Sequence, residues 1–116
     1  MAERVYTVGQ ISNYIKNMFR NDYLLKSVTI SGEISNLKYH SSGHIYFSLK
    51  DKDAVLDAIM FRSSAVSLKF RLTEGSKVRV TGKIENYEGN SKYQIYASSI
   101  ALEGEGELYA RFEQLK

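Results

Sequence analysis

From residue 27 onward, apolar and polar residues alternate with a period of two, which indicates strands that each bury one face. The alternation is clearest over 43–51, where Ile45, Phe47 and Leu49 share one face. The opposite face carries a ring, hydrogen-bonding groups and a cation: His44, Tyr46, Ser48 and Lys50. The same period predicts four further strands, over 27–38, 54–61, 77–87 and 92–101. The strand at 54–61 is apolar on both faces, so its pattern leaves open which face is buried.

Two other segments follow the helical period. Near the N-terminus, an apolar stripe has the spacing of an amphipathic helix: Ile11, Tyr14, Ile15, Met18 and Phe19. Thr7 and Gln10 precede it at the spacing of a capping box, which predicts Thr7 as the N-cap. Residues 63–70 predict a short helix between the third and fourth strands, with Ser63 or Ser64 as its cap.

The order of these elements predicts the fold class. Three strands, a short helix and two strands is the order of the OB-fold, a five-stranded Greek-key barrel, here mainly β with an N-terminal helical extension. Inward glycines at Gly32 and Gly82 suit the sharp bends of such a barrel. An SH3-like barrel is the alternative, and the helix between strands three and four argues against it. We expect three parts: a helical extension (1–26), the barrel (27–102), and a linker with the start of a helix (103–116).

The composition limits the classes of protein. With 116 residues, the chain is long enough for one domain with a modest core. The absence of cysteine excludes disulfides and thiolate metal sites, and it fits a reducing cytoplasm. No apolar run reaches the ~18 residues of a membrane span, and the N-terminus lacks the apolar core of a signal peptide. We therefore expect a cytoplasmic domain without membrane contact.

The charge is mildly basic, and its distribution is more informative than its total. The formal net charge is +3. Within 62–83, the one acid Glu74 is accompanied by six bases: Arg62, Lys69, Arg71, Lys77, Arg79 and Lys83. Clustered positive charge attracts phosphates, although a solvated lysine-rich face would have the same composition. Charge alone leaves both interpretations open.

Motifs for metal binding or catalysis are incomplete. His40 and His44 have the spacing of a helical zinc pair, but the intervening Ser-Ser-Gly indicates a loop, and no third ligand accompanies them. Asp51 and Asp53 begin like a calcium loop that then lacks its glycine and its last glutamate. No serine lies in a nucleophile elbow, and no paired carboxylates mark an acid–base site. We expect no cofactor, no metal and no catalytic residue in this chain.

A nucleic-acid face is the stronger hypothesis. OB-folds bind oligonucleotides on strands two and three and on the loops between strands one and two and between four and five. Rings stack on bases, and cations hold phosphates. The residues that the predicted fold offers are Lys38, His40, Ser41, Ser42, His44, Tyr46, Lys50, Arg62, Arg79, Lys92 and Tyr96, with Tyr87 in the last hairpin. Each alone has an ordinary structural explanation, such as the preference of tyrosine for strands.

Several short motifs occur in a specific order along nearly the whole chain: Gly32-Glu-Ile-Ser-Asn36, His40-Ser-Ser-Gly-His44, Met60-Phe-Arg62, Tyr93-Gln94 and Phe112-Glu-Gln-Leu115. In this order they resemble the N-terminal domain of the exodeoxyribonuclease VII large subunit family. The resemblance implies an OB-fold domain of a bacterial nuclease, built from large and small subunits, that degrades single-stranded DNA to oligonucleotides. It also implies that the catalytic residues and the contacts with the small subunit belong to a region beyond Lys116.

The expected function is therefore binding of single-stranded DNA without catalysis. We predict weak, salt-sensitive binding in which Tyr46 stacks on a base and the nearby basic groups contact phosphates: Lys38, His44, Lys50 and Arg62. The alternative is a structural or subunit-interaction module with little DNA affinity. In either case the apolar stripe of the first helix should pack on the barrel or on a second subunit.

Overall fold

Five strands form a closed barrel in the computed structural model, which describes residues 3–86 and 92–103. The strands are β1 (Val28–Tyr39), β2 (Ile45–Lys50), β3 (Val55–Met60), β4 (Lys77–Asn86) and β5 (Tyr93–Leu102). The helices are α1 (Val8–Asn21), α2 (Tyr23–Lys26) and α3 (Arg62–Ala65). This order of elements and the closed barrel confirm the predicted fold class.

Around the barrel the strands follow the order β1-β2-β3-β5-β4, and β4 closes the circle by pairing with β1. Neighbouring strands are antiparallel, apart from the parallel pair of β3 and β5. Inward side chains from all five strands fill the centre, and four of them have no exposed surface: Ile34, Val78, Val80 and Ile95. The period of two therefore predicted the buried face of β2 correctly, since Ile45, Phe47 and Leu49 belong to the core.

In β3, where both faces are apolar, Ala58 and Met60 belong to the barrel core. Ile59 lies on the outer face, yet it is only 7% exposed. Its pairing partners on the neighbouring strands are Tyr46 and Tyr96. Because directly paired residues share a face, two tyrosines flank Ile59 there. The second apolar face of β3 is thus part of an aromatic outer surface.

An irregularity between β4 and β5 draws the two strands together. The pairing shifts between Thr81 and Gly82, so that Ser98 is an extra residue in β5. An added Cβ on Gly82 would lie 2.1 Å from the carbonyl oxygen of Tyr96. Only glycine therefore allows this close approach, as the sequence predicted for a sharply bent barrel.

α1 begins at the predicted capping box and docks on the barrel through its last turn. The Gln10 backbone N–H donates to Thr7 Oγ1 at 3.0 Å, and the Thr7 N–H donates to Gln10 Oε1 at 2.8 Å. Phe19 packs against the core and lies edge-on to Tyr93, with ring centroids 5.9 Å apart. The rest of the stripe is exposed: Ile11 by 43%, Tyr14 by 65%, Ile15 by 40% and Met18 by 57%.

The helix between β3 and β4 is shorter than predicted. Instead of spanning 63–70, it consists of the single turn Arg62–Ala65. Phe61 occupies the N-cap position without a side-chain hydrogen bond, so the prediction of Ser63 or Ser64 as the cap was wrong. The serines and the β-branched valine of this segment have modest helix propensity, which explains why the helix ends early.

Two sequence predictions fall outside the described residues: Tyr87 in the last hairpin and the helix expected after residue 103. The longest helix of the described part is α1, with 14 residues. Within residues 3–86 and 92–103, no helix combines the length and the apolar character that crossing a bilayer requires.

Candidate nucleic-acid interface

One row of paired residues crosses the outer face of the barrel from β1 to β4. Lys38 pairs with Tyr46, Tyr46 with Ile59, Ile59 with Tyr96, and Tyr96 with Lys83. Because directly paired residues lie on the same face of a sheet, these side chains form one outward row. We refer to Lys38, Tyr46, Ile59, Tyr96 and Lys83 as the aromatic row. It has two tyrosines in its middle and a lysine at each end.

An irregularity in β1 brings Lys38 into the aromatic row. The pairing of β1 with β2 shifts by one residue between Ser35 and Lys38, and Asn36 within the shift has a φ of 51°. An extra residue moves every following side chain to the opposite face. Without the shift, the apolar Leu37 would pair with Tyr46. The irregularity therefore places a cation beside the ring.

Phe61, which follows β3 directly, joins the aromatic row from the side. Its ring stacks on that of Tyr96, with centroids 5.7 Å apart and an angle of 19° between the planes. The ring of His44 stands edge-on to Phe61 at 5.3 Å, and that of His40 stands edge-on to Tyr46 at 6.1 Å. Phe61 is 42% exposed and Tyr46 is 40% exposed, so both rings offer surface to a planar ligand.

The loop between β1 and β2 is a tight turn that holds both histidines. The His40 backbone N–H donates to the His44 carbonyl oxygen at 3.0 Å, and the Gly43 N–H donates to the His40 carbonyl oxygen at 2.9 Å. Gly43 has a φ of 93°, and an added Cβ would lie 2.7 Å from the side chain of Arg62. Glycine is thus required both for the backbone conformation and for the close approach of Arg62.

His44 connects this loop to the end of β3. Its Nδ1 accepts a hydrogen bond from the backbone N–H of Arg62 at 2.9 Å. A ring nitrogen that accepts carries no proton, so the neutral ring in this bond has its hydrogen on Nε2. In this state His44 offers one N–H donor and no charge. Acting as a cation, as the sequence analysis expected near phosphates, would require the bond to Arg62 to break.

Carboxylates lie in the neighbouring row of the same face. Asp57 pairs with Ser48, whose Oγ donates to Asp57 Oδ1 at 3.3 Å. Further along the same row, Glu85 Oε1 lies 3.6 Å from Arg20 Nε, and Glu85 Oε2 lies 3.7 Å from Lys83 Nζ. Because carboxylates repel phosphates, the aromatic row is the more favourable path for a nucleic-acid backbone.

Most of the predicted contact residues surround the aromatic row. Lys38, Tyr46 and Tyr96 belong to it. The adjoining loop contains His40, Ser41, Ser42 and His44. Arg62 follows Phe61 in the chain, and Lys92 is exposed at the start of β5. These predicted contact residues therefore lie in or next to the aromatic row, and their contact with DNA stays a prediction.

Two predicted contact residues lie away from the aromatic row. Lys50 ends β2, and its Nζ is 4.0 Å from Glu33 Oε1. Arg79 lies four residues before Lys83 on the outer side of β4, where it pairs with Ser31 of β1. Its Nη2 donates to Glu103 Oε1 at 3.0 Å. Lys50 and Glu33 are direct pairing partners across β1 and β2, which explains their contact.

Phe61 and Ile59 also belong to this surface, although they were not among the predicted contact residues. Both lie in the segment 54–61, whose two apolar faces gave no preference for the buried side. The available signal was that this strand carries more apolar residues than one core face needs, and that its neighbour presents Tyr46 outward.

The histidines of the loop have protein partners rather than a metal arrangement. His40 Nδ1 lies 2.8 Å from Ser42 Oγ, and His44 Nδ1 accepts from Arg62. Within residues 3–86 and 92–103, no group of three or more histidine or acidic side chains is arranged to hold a metal ion.

Comparison with known proteins assigns the family. A family model described as "OB-fold nucleic acid binding domain" matches residues 6–101. The chain belongs to this family. Proteins named exodeoxyribonuclease 7 large subunit are similar to nearly all of it: one from Lachnoclostridium phytofermentans is 53% identical over 98% of the chain, and one from Clostridium perfringens is 47% identical over 100%. These matches confirm the resemblance found in the sequence, and the chain spans 28% and 29% of the two relatives' lengths.

Solved structures share the fold of this OB-fold chain at low sequence identity. A chain of the S. pombe Stn1-ten1 complex has a TM-score of 0.56 and 20% identity, covering 78% of this chain and 67% of that one. A chain of a replication protein A heterotrimer bound to ssDNA has a TM-score of 0.55 and 13% identity, with coverage of 77% and 68%. At such identities the likeness establishes the fold alone.

Proposed function

We propose that this OB-fold domain binds single-stranded DNA along the aromatic row. The observation that carries the proposal is the juxtaposition of rings with cations on one outward face: the exposed rings of Tyr46 and Phe61 and the half-buried ring of Tyr96, with Lys38 and Lys83 at the ends. Rings stack on unpaired bases of any sequence, and lysines neutralise the phosphates between them. In a duplex the bases are already stacked, so they cannot use these rings.

The domain would serve as the DNA-holding part of a longer nuclease. The relatives are named as large subunits of an exodeoxyribonuclease, and the chain corresponds to less than a third of their length. We propose that degradation of the strand and binding of a small subunit belong to other parts of such a protein. We also propose a cytoplasmic location, which the absence of cysteine supports.

A second candidate function is subunit interaction through α1. Three residues of its apolar stripe, Ile11, Tyr14 and Met18, are 43%, 65% and 57% exposed. Apolar patches of this kind on a domain surface often mark interfaces. Light scattering over a concentration series distinguishes the candidates, because an interface between copies would raise the apparent mass with concentration.

Titration of fluorescent oligonucleotides tests the proposed function. A single strand and a duplex of the same sequence are each titrated with the 116-residue chain at several salt concentrations. We expect tighter binding of the single strand, with a log–log salt slope of about −0.7 for each phosphate contact. Equal affinity for both forms, or no binding at low salt, would contradict the proposal.

A further inference from the structure

We propose that a cavity at the β4 end of the aromatic row holds the continuing backbone of the bound single strand. This inference rests on the proposed function and extends it to the helical segment before the barrel. The cavity has a volume of about 340 Å³ and lies beside Lys26, Lys83 and the rings of Phe61 and Tyr96. Hydroxyl groups complete its lining: Ser27, Ser64 and Ser98.

The chemistry of the lining suits a sugar–phosphate backbone. Two ammonium groups and the hydroxyls of Ser27 and Ser64 can donate to phosphate oxygens, and the rings can take the preceding base. Lys83 Nζ lies 5.7 Å from the centre of the Tyr96 ring, so cation and ring are adjacent. Its ion pair with Glu85 is shared, because Glu85 also faces Arg20.

A second lysine-containing cavity of the barrel provides a contrast. It is lined by Lys50, Lys52 and Lys77, but also by the carboxylates Glu33 and Asp51. Among the lining residues of the cavity at Lys26 there is no carboxylate. The carboxylate that Lys83 contacts, Glu85, lies outside the lining, whereas Glu33 and Asp51 are part of the lining of the other cavity. Because carboxylates in the lining repel phosphate, the cavity at Lys26 is the better backbone site.

The fold fixes the wall of this cavity. Ser98, the extra residue of β5, donates its Oγ hydrogen to the Thr81 carbonyl oxygen at 3.0 Å. Gly82 lets β4 approach Tyr96 closely, as the 2.1 Å distance for an added Cβ shows. The irregularity thus turns the main chain beside Tyr96 into a recess instead of a continuous flat sheet.

α2 brings Lys26 to the recess. Asp22 caps this short helix by accepting a hydrogen bond from the Leu25 backbone N–H at 3.0 Å. Lys26 is the last residue of the helix, and Ser27 then leads into β1. The helical segment before the barrel therefore contributes a cation to the proposed DNA path.

The path length makes the inference testable with oligonucleotides of different length. The aromatic row crosses five strands, and neighbouring strands are about 4.8 Å apart, so it spans roughly 19 Å from Lys38 to Lys83. A strand that fills only the central rings should not reach Lys26. OB-folds cover from about 4 to about 16 nucleotides, which sets the range for the test.

The experiment compares Lys26→Ala with Lys77→Ala on thymidine oligonucleotides of about 4 and about 12 nucleotides. Lys77 is an exposed lysine at the other end of β4, so its loss changes the net charge equally. We expect Lys26→Ala to weaken binding of the longer strand severalfold, to reduce its salt slope by about 0.7, and to leave the short strand unaffected. Lys26→Arg should keep most of the affinity, because it retains the charge.

The outcomes separate this inference from the proposed function. If Tyr46→Ala weakens binding but Lys26→Ala behaves like Lys77→Ala on both strands, the cavity is not part of the path and the proposed function stands. If the parent chain binds neither strand, both proposals fail. An equal loss for the short and the long strand with Lys26→Ala would also overturn the extended path, since it would indicate a general effect of charge.

Discussion

Two outer faces of the barrel carry cations, and they differ in what surrounds the charge. On the face crossed by the aromatic row, Lys38 and Lys83 stand next to tyrosine rings, and Lys83 also lies 3.7 Å from Glu85 Oε2. On the face of β1 and β4, Arg79 donates from Nε and Nη2 to Glu103 Oε1 at 3.2 and 3.0 Å. Ser31 donates to the other oxygen of the same carboxylate at 2.7 Å.

This difference shows that the number of basic residues does not identify a binding face. The hydrogen bond from Ser31, and then the interaction with Arg79, hold the pKa of the Glu103 carboxyl below its ordinary value. The carboxylate therefore stays charged and competes with any phosphate for Arg79. On the aromatic row, rings adjoin the lysines, and a nucleic acid can satisfy both at once.

Among the variants that test this comparison, Tyr46→Ala should cause the largest loss of affinity for single-stranded DNA. Stacking of a base on an aromatic side chain is worth about 1–3 kcal/mol, so Tyr46→Ala should weaken single-strand binding by that amount with little change in salt slope. Tyr14→Ala is the matched control, because Tyr14 is an exposed tyrosine on α1. Fluorescence anisotropy measures both. Equal losses in the two variants would show that the row is not the binding face.

Phe61→Ala should have the next largest effect. The ring stacks on Tyr96 and is edge-on to His44, and an aromatic pair contributes about 0.5–1.5 kcal/mol beyond its buried area. Because the exposed ring can also stack on a base, we expect a loss of roughly 1 kcal/mol in DNA binding, partly recovered in Phe61→Tyr. Circular dichroism melting checks that the barrel remains folded. Unchanged affinity in a folded Phe61→Ala variant would restrict the stacking surface to the two tyrosines.

The part of this surface that alternation determines was predictable from the sequence. A period of two is enough to place Tyr46 outward and Phe47 inward, because a strand has only two faces. The strand order also followed, since a helix between the third and fourth strands is a feature of the OB-fold. The family resemblance pointed in the same direction from independent motifs.

The other features of this surface could not be predicted, because they depend on single-residue shifts in strand pairing and on contacts between residues far apart in the sequence. The extra residue near Asn36 decides whether Lys38 or Leu37 lies beside Tyr46, and alternation contains no signal for it. The pairing of Arg79 with Glu103 joins residues from β4 and from the end of β5, and their proximity follows only from the closed barrel. Arg79 and Lys50 were therefore predicted as DNA contacts, although each has a carboxylate beside it: Glu103 beside Arg79 and Glu33 beside Lys50.

A comparison of Lys38→Ala with Arg79→Ala tests which of the two cations contacts a phosphate of the bound strand. Removing one phosphate contact should reduce the log–log salt slope by about 0.7 for a single strand. We expect this reduction for Lys38→Ala, whose side chain ends the aromatic row, and none for Arg79→Ala, which bonds to a carboxylate. Anisotropy titrations over a salt series measure both slopes. The reverse result would place the binding face around Arg79 and Ser31 instead of along the aromatic row.

The smallest expected effect is a change in the pH dependence of the melting temperature. It tests whether the contacts of Glu103 with Ser31 and Arg79 stabilise the fold. A carboxyl whose pKa is lowered in the folded protein stabilises it above the unfolded value, ordinarily 4.5, and loses this contribution as the pH falls through the folded value. Glu103→Gln should therefore lower the melting temperature slightly at pH 7 and make it less dependent on pH below 4.5. Glu3→Gln, at an exposed glutamate outside the barrel, is the control. Identical pH profiles for the parent chain and Glu103→Gln would mean that the Ser31–Glu103–Arg79 contacts contribute no net stability, and that Arg79 is more available to phosphate than its hydrogen bonds suggest.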